Sequence, residues 1–155
     1  IHSATAGKVV RVQDGLPEQV PGALPAGATI QNAAGNHVVV RISRGRYALY
    51  AHMKTGSTRV NVGDRVKPGK VLGLIGNSGN ASAPHLHFHI MDSASPLQSN
   101  GLPFTFKAFD GQGFVTDLDA LVAGGDPALN GRLEGRHRGE LPLDNQVISF
   151  GGSGR

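Results

Sequence analysis

Pro84-His85-Leu86-His87-Phe88-His89-Ile90 alternates imidazole with apolar side chains at every step. A period of two is the mark of a half-buried β-strand, because successive side chains leave a pleated strand on opposite faces. The pattern predicts one face of His85, His87 and His89 and a core-facing set of Leu86, Phe88 and Ile90. Residues two apart on a strand lie roughly 6.5–7 Å apart at the backbone, close enough for two imidazoles to share one metal ion or a metal and its water. One isolated histidine in such a place reads as an ordinary surface residue. Three in register point to a metal site.

Outward from this stretch, the same strand signals recur. Gly7 to Val12 reads as a strand, and the stretch from Leu16 to Gly27 as a surface loop. Asn36 to Ile42 and Arg46 to His52 flank Ser43-Arg44-Gly45, the pattern of an antiparallel hairpin with a short turn. Further strands are expected at Arg59 to Val62, Lys70 to Ile75 and Leu86 to Met91. They are separated by the turn groups Gly63-Asp64, Pro68-Gly69 and Gly76-Asn77-Ser78-Gly79. Only Val115 to Ala123 has helical spacing, with Leu118, Leu121 and Val122 as its apolar face. Gly124 to Glu140 reads as an exposed linker in which Arg132, Arg136, His137 and Arg138 are solvated, and Gln146 to Phe150 as a last strand.

Composition agrees with a mainly β chain. Of 155 residues, 23 are glycine and 9 proline, and only 17% are charged, which favours short strands joined by many turns. No apolar run approaches the ~18 residues of a membrane span. Fifteen Lys and Arg against eleven Asp and Glu give +4, a balance that favours anionic surroundings without naming nucleic acid. Aromatic residues at 5% leave few stacking platforms for single-stranded nucleic acid. With no cysteine, a metal must be held by histidine and carboxylate. The chain opens with Ile1 and has no charged start or apolar stretch of a secretory signal, which reads as a processed chain or a fragment.

Taken in order, four elements between about Gly7 and Met91 carry a resemblance. They are the strand end Tyr50-Ala51-His52, the Val-x-x-Gly-Asp-x-Val-x-x-Gly block around Gly63-Asp64, the turn Gly76-Asn77-Ser78-Gly79-Asn80, and Pro84-His85-Leu86-His87-Phe88. As a set they resemble the lysostaphin-type (LytM-like) zinc metallopeptidases, which cut the peptide bridges of bacterial peptidoglycan. The resemblance implies an antiparallel β sandwich or barrel of the duplicated hybrid motif type over residues 1–106, with 107–155 as a C-terminal extension. It also implies His87 as a zinc ligand, with His52 and His85 as the pair flanking the metal-bound water. Its further implications are peptidoglycan peptides as partner and an extracytoplasmic setting. The role of His89 stays open, since the family varies there.

One departure stands out. The family uses an upstream His-x-x-x-Asp pair for two of its three protein ligands, and His2 is followed at that distance by Ala6. The expectation is a truncated catalytic domain, and the alternative is a non-catalytic relative that binds peptidoglycan or activates another hydrolase. His2, His37 and Asp14 are the in-chain candidates to complete a site, and each reads more simply as a structural polar residue. Carrier and phosphotransfer modules share the Gly-Asp block, but Met53-Lys54 here lacks the preceding acidic residue of a carrier hairpin, and Pro84-His85-Leu86-His87-Phe88 fits the peptidase pattern better than phosphotransfer.

Overall fold

In the computed structural model, which describes residues 1–23, 27, 29–122, 125–126 and 128–151, the chain divides into two units, Ile1–Pro103 and Phe104–Arg155. The first unit is built on the hairpin of β2 (Asn36–Ser43) and β3 (Arg46–Met53). Arg44 and Gly45 make its two-residue turn, and Gly45 has a φ of 67° of the kind such a turn requires. On either side the sheet adds β1 (Gly7–Gln13), β4 (Arg65–Val66), β5 (His87–Met91) and β6 (Gly101–Leu102). The order is β4-β1-β2-β3-β5-β6, with every pairing antiparallel.

Both faces of this sheet are apolar at the centre, because valines and alanines alternate through neighbouring strands. Val9, Val40 and Ala48 are opposed in register on one face, joined by Val38, Tyr50 and Ile90, all buried. Tyr50 is 1% exposed and its hydroxyl accepts the Ala4 N–H at 2.8 Å, so the phenol's polar end is satisfied within the core. The other face carries Val39, Leu49, Ala51 and Met91 as a second buried cluster. By register, Leu49 lies opposite His89 and Ala51 opposite His87. The histidine face therefore has an apolar floor, which the strand's own alternation does not reveal.

Two expected strands are absent. Arg59 to Val62 and Lys70 to Ile75 run as irregular chain, tied by single bonds such as Arg59 N–H to Leu72 O and by isolated bridges at Val71 and Ile75. Glycines at 63, 69, 73 and 76 break up any longer ladder, and Val62, Val71, Leu74 and Ile75 are exposed. Leu86, expected in the core, is 37% exposed because β5 starts one residue later, at His87.

The second unit is a small antiparallel sheet centred on β7 (Phe109–Val115). It pairs with β10 (Gln146–Ser149) and also with β8 (Leu129–Asn130) and β9 (Gly135–His137). Two of these strands fall within the expected linker. The expected helix shrinks to α1 (Leu118–Val122), in which Leu118 and Leu121 are exposed. The expected helix end at Ala123 and the linker start at Gly124 lie outside the described residues, as do Leu24 to Ala26 of the expected loop. His137, expected to be solvated, stacks on Phe109 at 4.9 Å and bonds both the Leu133 carbonyl and Glu140.

Candidate metal and catalytic centre

The strand end that delivers His52 is bent. His52 has a φ of 58°, a left-handed conformation uncommon outside glycine, and its ring is buried at 5% exposure. The turn Gly76–Gly79 holds it there. The Gly76 N–H donates to the His52 carbonyl at 3.0 Å, and His52 Nδ1 donates to the Ser78 carbonyl at 2.8 Å. Ser78 is itself fixed: its hydroxyl donates to Met53 O and accepts the Asn36 N–H. Gly35 and Gly79, both at positive φ, let the two backbones close on each other; a Cβ on Gly35 would strike Ser78 and one on Gly79 would strike Gly35.

His85 lies before β5, in an isolated bridge with Gly76, so the three histidines do not all stand on one regular strand. Its Nδ1 donates to the Ala83 carbonyl at 2.8 Å. A carbonyl can only accept, so Nδ1 carries a hydrogen in both His52 and His85, and in the neutral form of each ring Nε2 is the nitrogen that presents a lone pair. Their ring centroids are 4.8 Å apart, and His87 stands 5.7 Å from His52. His87 Nε2 and His89 Nδ1 share a hydrogen bond of 2.9 Å. A cleft of about 220 Å³ runs past His52, His87 and His89, walled by Ala33, Ala34, Asn80, Pro96 and Leu97.

Burial favours the neutral form of His52, His87 and His89. It lowers the pKa of His52 below the ordinary imidazole value, against the opposing bond to Ser78, and the neighbouring His85 and His87 lower it further. Burial likewise lowers His87, reinforced by His89 and His85, and lowers His89. Neutral imidazole is the state that ligates metal or accepts a proton.

The donor chemistry suits zinc, but the described residues do not complete a site for it. Among them, no group of three His, Cys, Asp or Glu side chains is placed to hold one ion, whereas a catalytic zinc takes three protein ligands. The in-chain candidates are engaged elsewhere. His2 sits in a bridge with Val71 and bonds the Gly69 carbonyl. The Asp14 carboxylate accepts from Gly15, Gly56 and Thr58; burial raises its pKa, but these bonds, the Thr58 hydroxyl foremost, outweigh burial and hold it low. His37 donates from Nδ1 to Gly35 O at 2.7 Å.

The strand pattern does not reveal the supporting residues Ser78, Asn36 and Gly35 that orient His52; the Gly76-Asn77-Ser78-Gly79-Asn80 turn marks the family resemblance, but nothing in its sequence assigns Ser78 to the His52 ring.

Residues 1–99 match the model of Peptidase family M23, and this chain belongs to that family. Among curated proteins it is 33% identical over 63 residues to the DD-carboxypeptidase/endopeptidase Mpg of Neisseria meningitidis, covering 41% of this chain and 14% of that protein. It is 37% identical over 62 residues to the glycyl-glycine endopeptidase ALE-1 of Staphylococcus capitis, covering 40% and 17%. The matches thus span less than a fifth of either relative. Among solved structures, the catalytic domain of lysostaphin from Staphylococcus simulans aligns with a TM-score of 0.45 at 26% identity, over 65% of each chain.

Proposed function

We propose that this chain carries the strand-borne part of a zinc endopeptidase site that hydrolyses peptide bonds of bacterial peptidoglycan, outside the cytoplasm. In this reading His87 is a zinc ligand, and two further donors come from beyond those the described residues bring together. His52 and His85 are the catalytic pair. The observation that carries the reading is the shared anchoring of that pair: two rings 4.8 Å apart, each with Nδ1 tied to a carbonyl, which leaves Nε2 as the nitrogen that can act on a substrate.

Such an arrangement does specific chemistry. A bare Nε2 accepts the proton of an attacking water and returns it to the leaving amine. The second ring, once protonated, donates to the developing oxyanion. The Ser78 carbonyl keeps the His52 ring from turning, so the base is oriented before substrate arrives. Zinc, when bound, supplies Lewis acidity and lowers the pKa of water from ~15.7 towards ~7. Membership of a peptidase family and the peptidoglycan endopeptidases among its relatives support the substrate class.

A second reading draws on the incomplete donor set: a non-catalytic relative that binds peptidoglycan peptides in the same cleft. The experiment that separates the two is digestion of purified peptidoglycan, with new amino groups counted, by this chain and by a form extended at its N-terminus. Release by the extended form, lost in His52→Ala and His85→Ala, supports the peptidase. Binding without release by both forms supports the second reading.

A further inference from the structure

A line of like charges crosses the first unit's sheet. Arg65 on β4 is paired directly with Lys8 on β1, and Lys8 directly with Arg41 on β2. Arg41 is in turn opposite Tyr47 on β3. Directly opposed residues point to the same face, and neighbouring strands are ~4.8 Å apart, so three cationic side chains stand side by side. Like charges directly opposite one another destabilise a sheet. Among the described residues no carboxylate pairs with them.

Residues 1–103 contain ten Lys and Arg but only four Asp and Glu, and all four carboxylates are engaged elsewhere. Asp14 binds Gly15, Gly56 and Thr58; Glu18 binds Thr55 and Asn77; Asp64 binds Asn61; Asp92 binds Asn100. Among the described residues no ion pair includes Lys8, Arg41 or Arg65. The three are exposed and, with Arg44 from the hairpin turn and half-buried Tyr47, line a concave cleft of about 520 Å³.

The geometry points to a binding site for a linear phosphodiester polyanion without bases, laid across the row Arg65, Lys8, Arg41. A row of point charges at strand spacing matches a ligand whose charge repeats along a chain. A single small anion, even a phosphate dianion, would leave at least one of the three cations unneutralised. Tyr47 is the row's one aromatic neighbour, too little for the stacked bases of a nucleic acid. The cleft is concave and cationic, and none of its lining residues is an exposed large hydrophobic of the kind that enters a lipid surface.

The row also lies on the sheet face that carries the histidines. Tyr47, Leu49 and Ala51 alternate onto one face and are opposite Met91, His89 and His87. Ala51 lies four residue steps along β3 from Tyr47, about 13 Å at ~3.3 Å per residue. A polymer held on the row leaves the histidine cleft open, so the site would tether the domain to anionic wall polymer while peptide occupies the histidines. It goes beyond the proposed peptidase activity and needs neither zinc nor cleavage.

The test is fluorescence anisotropy of metal-free protein with a tagged glycerol phosphate oligomer. Inorganic phosphate, an oligothymidylate of equal charge and phosphatidylglycerol vesicles serve as comparison probes. The oligomer should bind best, with affinity falling as roughly the second power of salt concentration, as expected for three neutralised charges at ~0.7 each. The variant Lys8→Gln/Arg41→Gln/Arg65→Gln should lose about tenfold or more in affinity. Because the substitutions remove cross-strand repulsion, its melting temperature should hold or rise, which excludes misfolding as the cause. Unchanged affinity in this variant overturns the proposal. Tighter binding to oligothymidylate or vesicles than to the glycerol phosphate oligomer also overturns it, and reassigns the row to nucleic acid or membrane.

Discussion

His52 Nδ1 donates to the carbonyl oxygen of Ser78 at 2.8 Å, and this bond joins the strand that delivers one candidate catalytic ring to the turn that follows Gly76. The same Ser78 is 0% exposed and ties down Met53 and Asn36 through its hydroxyl. Fold and site meet at this residue. Whatever shifts the turn rotates the imidazole.

Gly79→Ala is expected to test that link. The residue has a φ of 76° and faces the Gly35 backbone, so a methyl group meets both backbone strain and a clash. The expected loss is about 2–3 kcal/mol of stability, read from urea unfolding. A loss below about 0.5 kcal/mol, the size of an ordinary surface substitution, would show that the turn yields freely.

Removing the rings themselves should separate chemistry from folding. His52→Ala and His85→Ala are expected to lower peptidoglycan hydrolysis by about 10²–10⁴-fold, the usual contribution of a positioned acid or base. His85 is exposed, so its variant should unfold at the same urea concentration as the parent. Equal activity in both variants would remove the pair from the mechanism.

Stability should depend on pH through the buried histidines. Burial lowers the pKa of His37 and of His52 in the folded state, so the unfolded chain binds protons first as pH falls. Stability is therefore full at neutral pH and above, and declines as pH drops below the ordinary imidazole value of about 6.5. Urea midpoints measured from pH 8 to pH 5 should fall, and a His37→Gln variant should show a shallower slope. A midpoint that rises on acidification would mean these rings fold protonated.

Asp14→Asn tests a carboxylate with a structural role. Its oxygens accept the N–H groups of Gly15, Gly56 and Thr58 and the Thr58 hydroxyl, joining the chain after β1 to the chain after β3. The amide keeps part of this set, so the expected cost is about 1 kcal/mol. The substitution should leave the histidine cleft unaltered, as amide chemical shifts around His87 would report.

The strands that build the site were legible because their patterns are local. β1, β2, β3 and β5 have β-branched or alternating residues bounded by turn formers, and the hairpin turn at Arg44-Gly45 is spelled out by its glycine. The proximity of His52 to His85 was not readable from periodicity, since it depends on the turn at Gly76–Gly79 folding back onto β3. The two strands expected at 59–62 and 70–75 failed because Gly63, Gly69, Gly73 and Gly76 cut the ladders short, so that Val60 and Leu72 reach the core while Val62, Val71, Leu74 and Ile75 stay exposed. β7 was missed for the opposite reason. Its Gly111 and Gly113 look like breakers, yet they admit the close approach of Leu133 O and Asn130 O that a side chain would block.

The central claim is that His87 holds zinc together with donors beyond those the described residues assemble. Its most direct test is elemental zinc analysis of the dialysed, N-terminally extended protein beside its His87→Ala variant. The account predicts one zinc per chain in the parent and none in the variant, with both folded by circular dichroism. Zinc retained at full stoichiometry in His87→Ala, or absent from the folded parent, would contradict it.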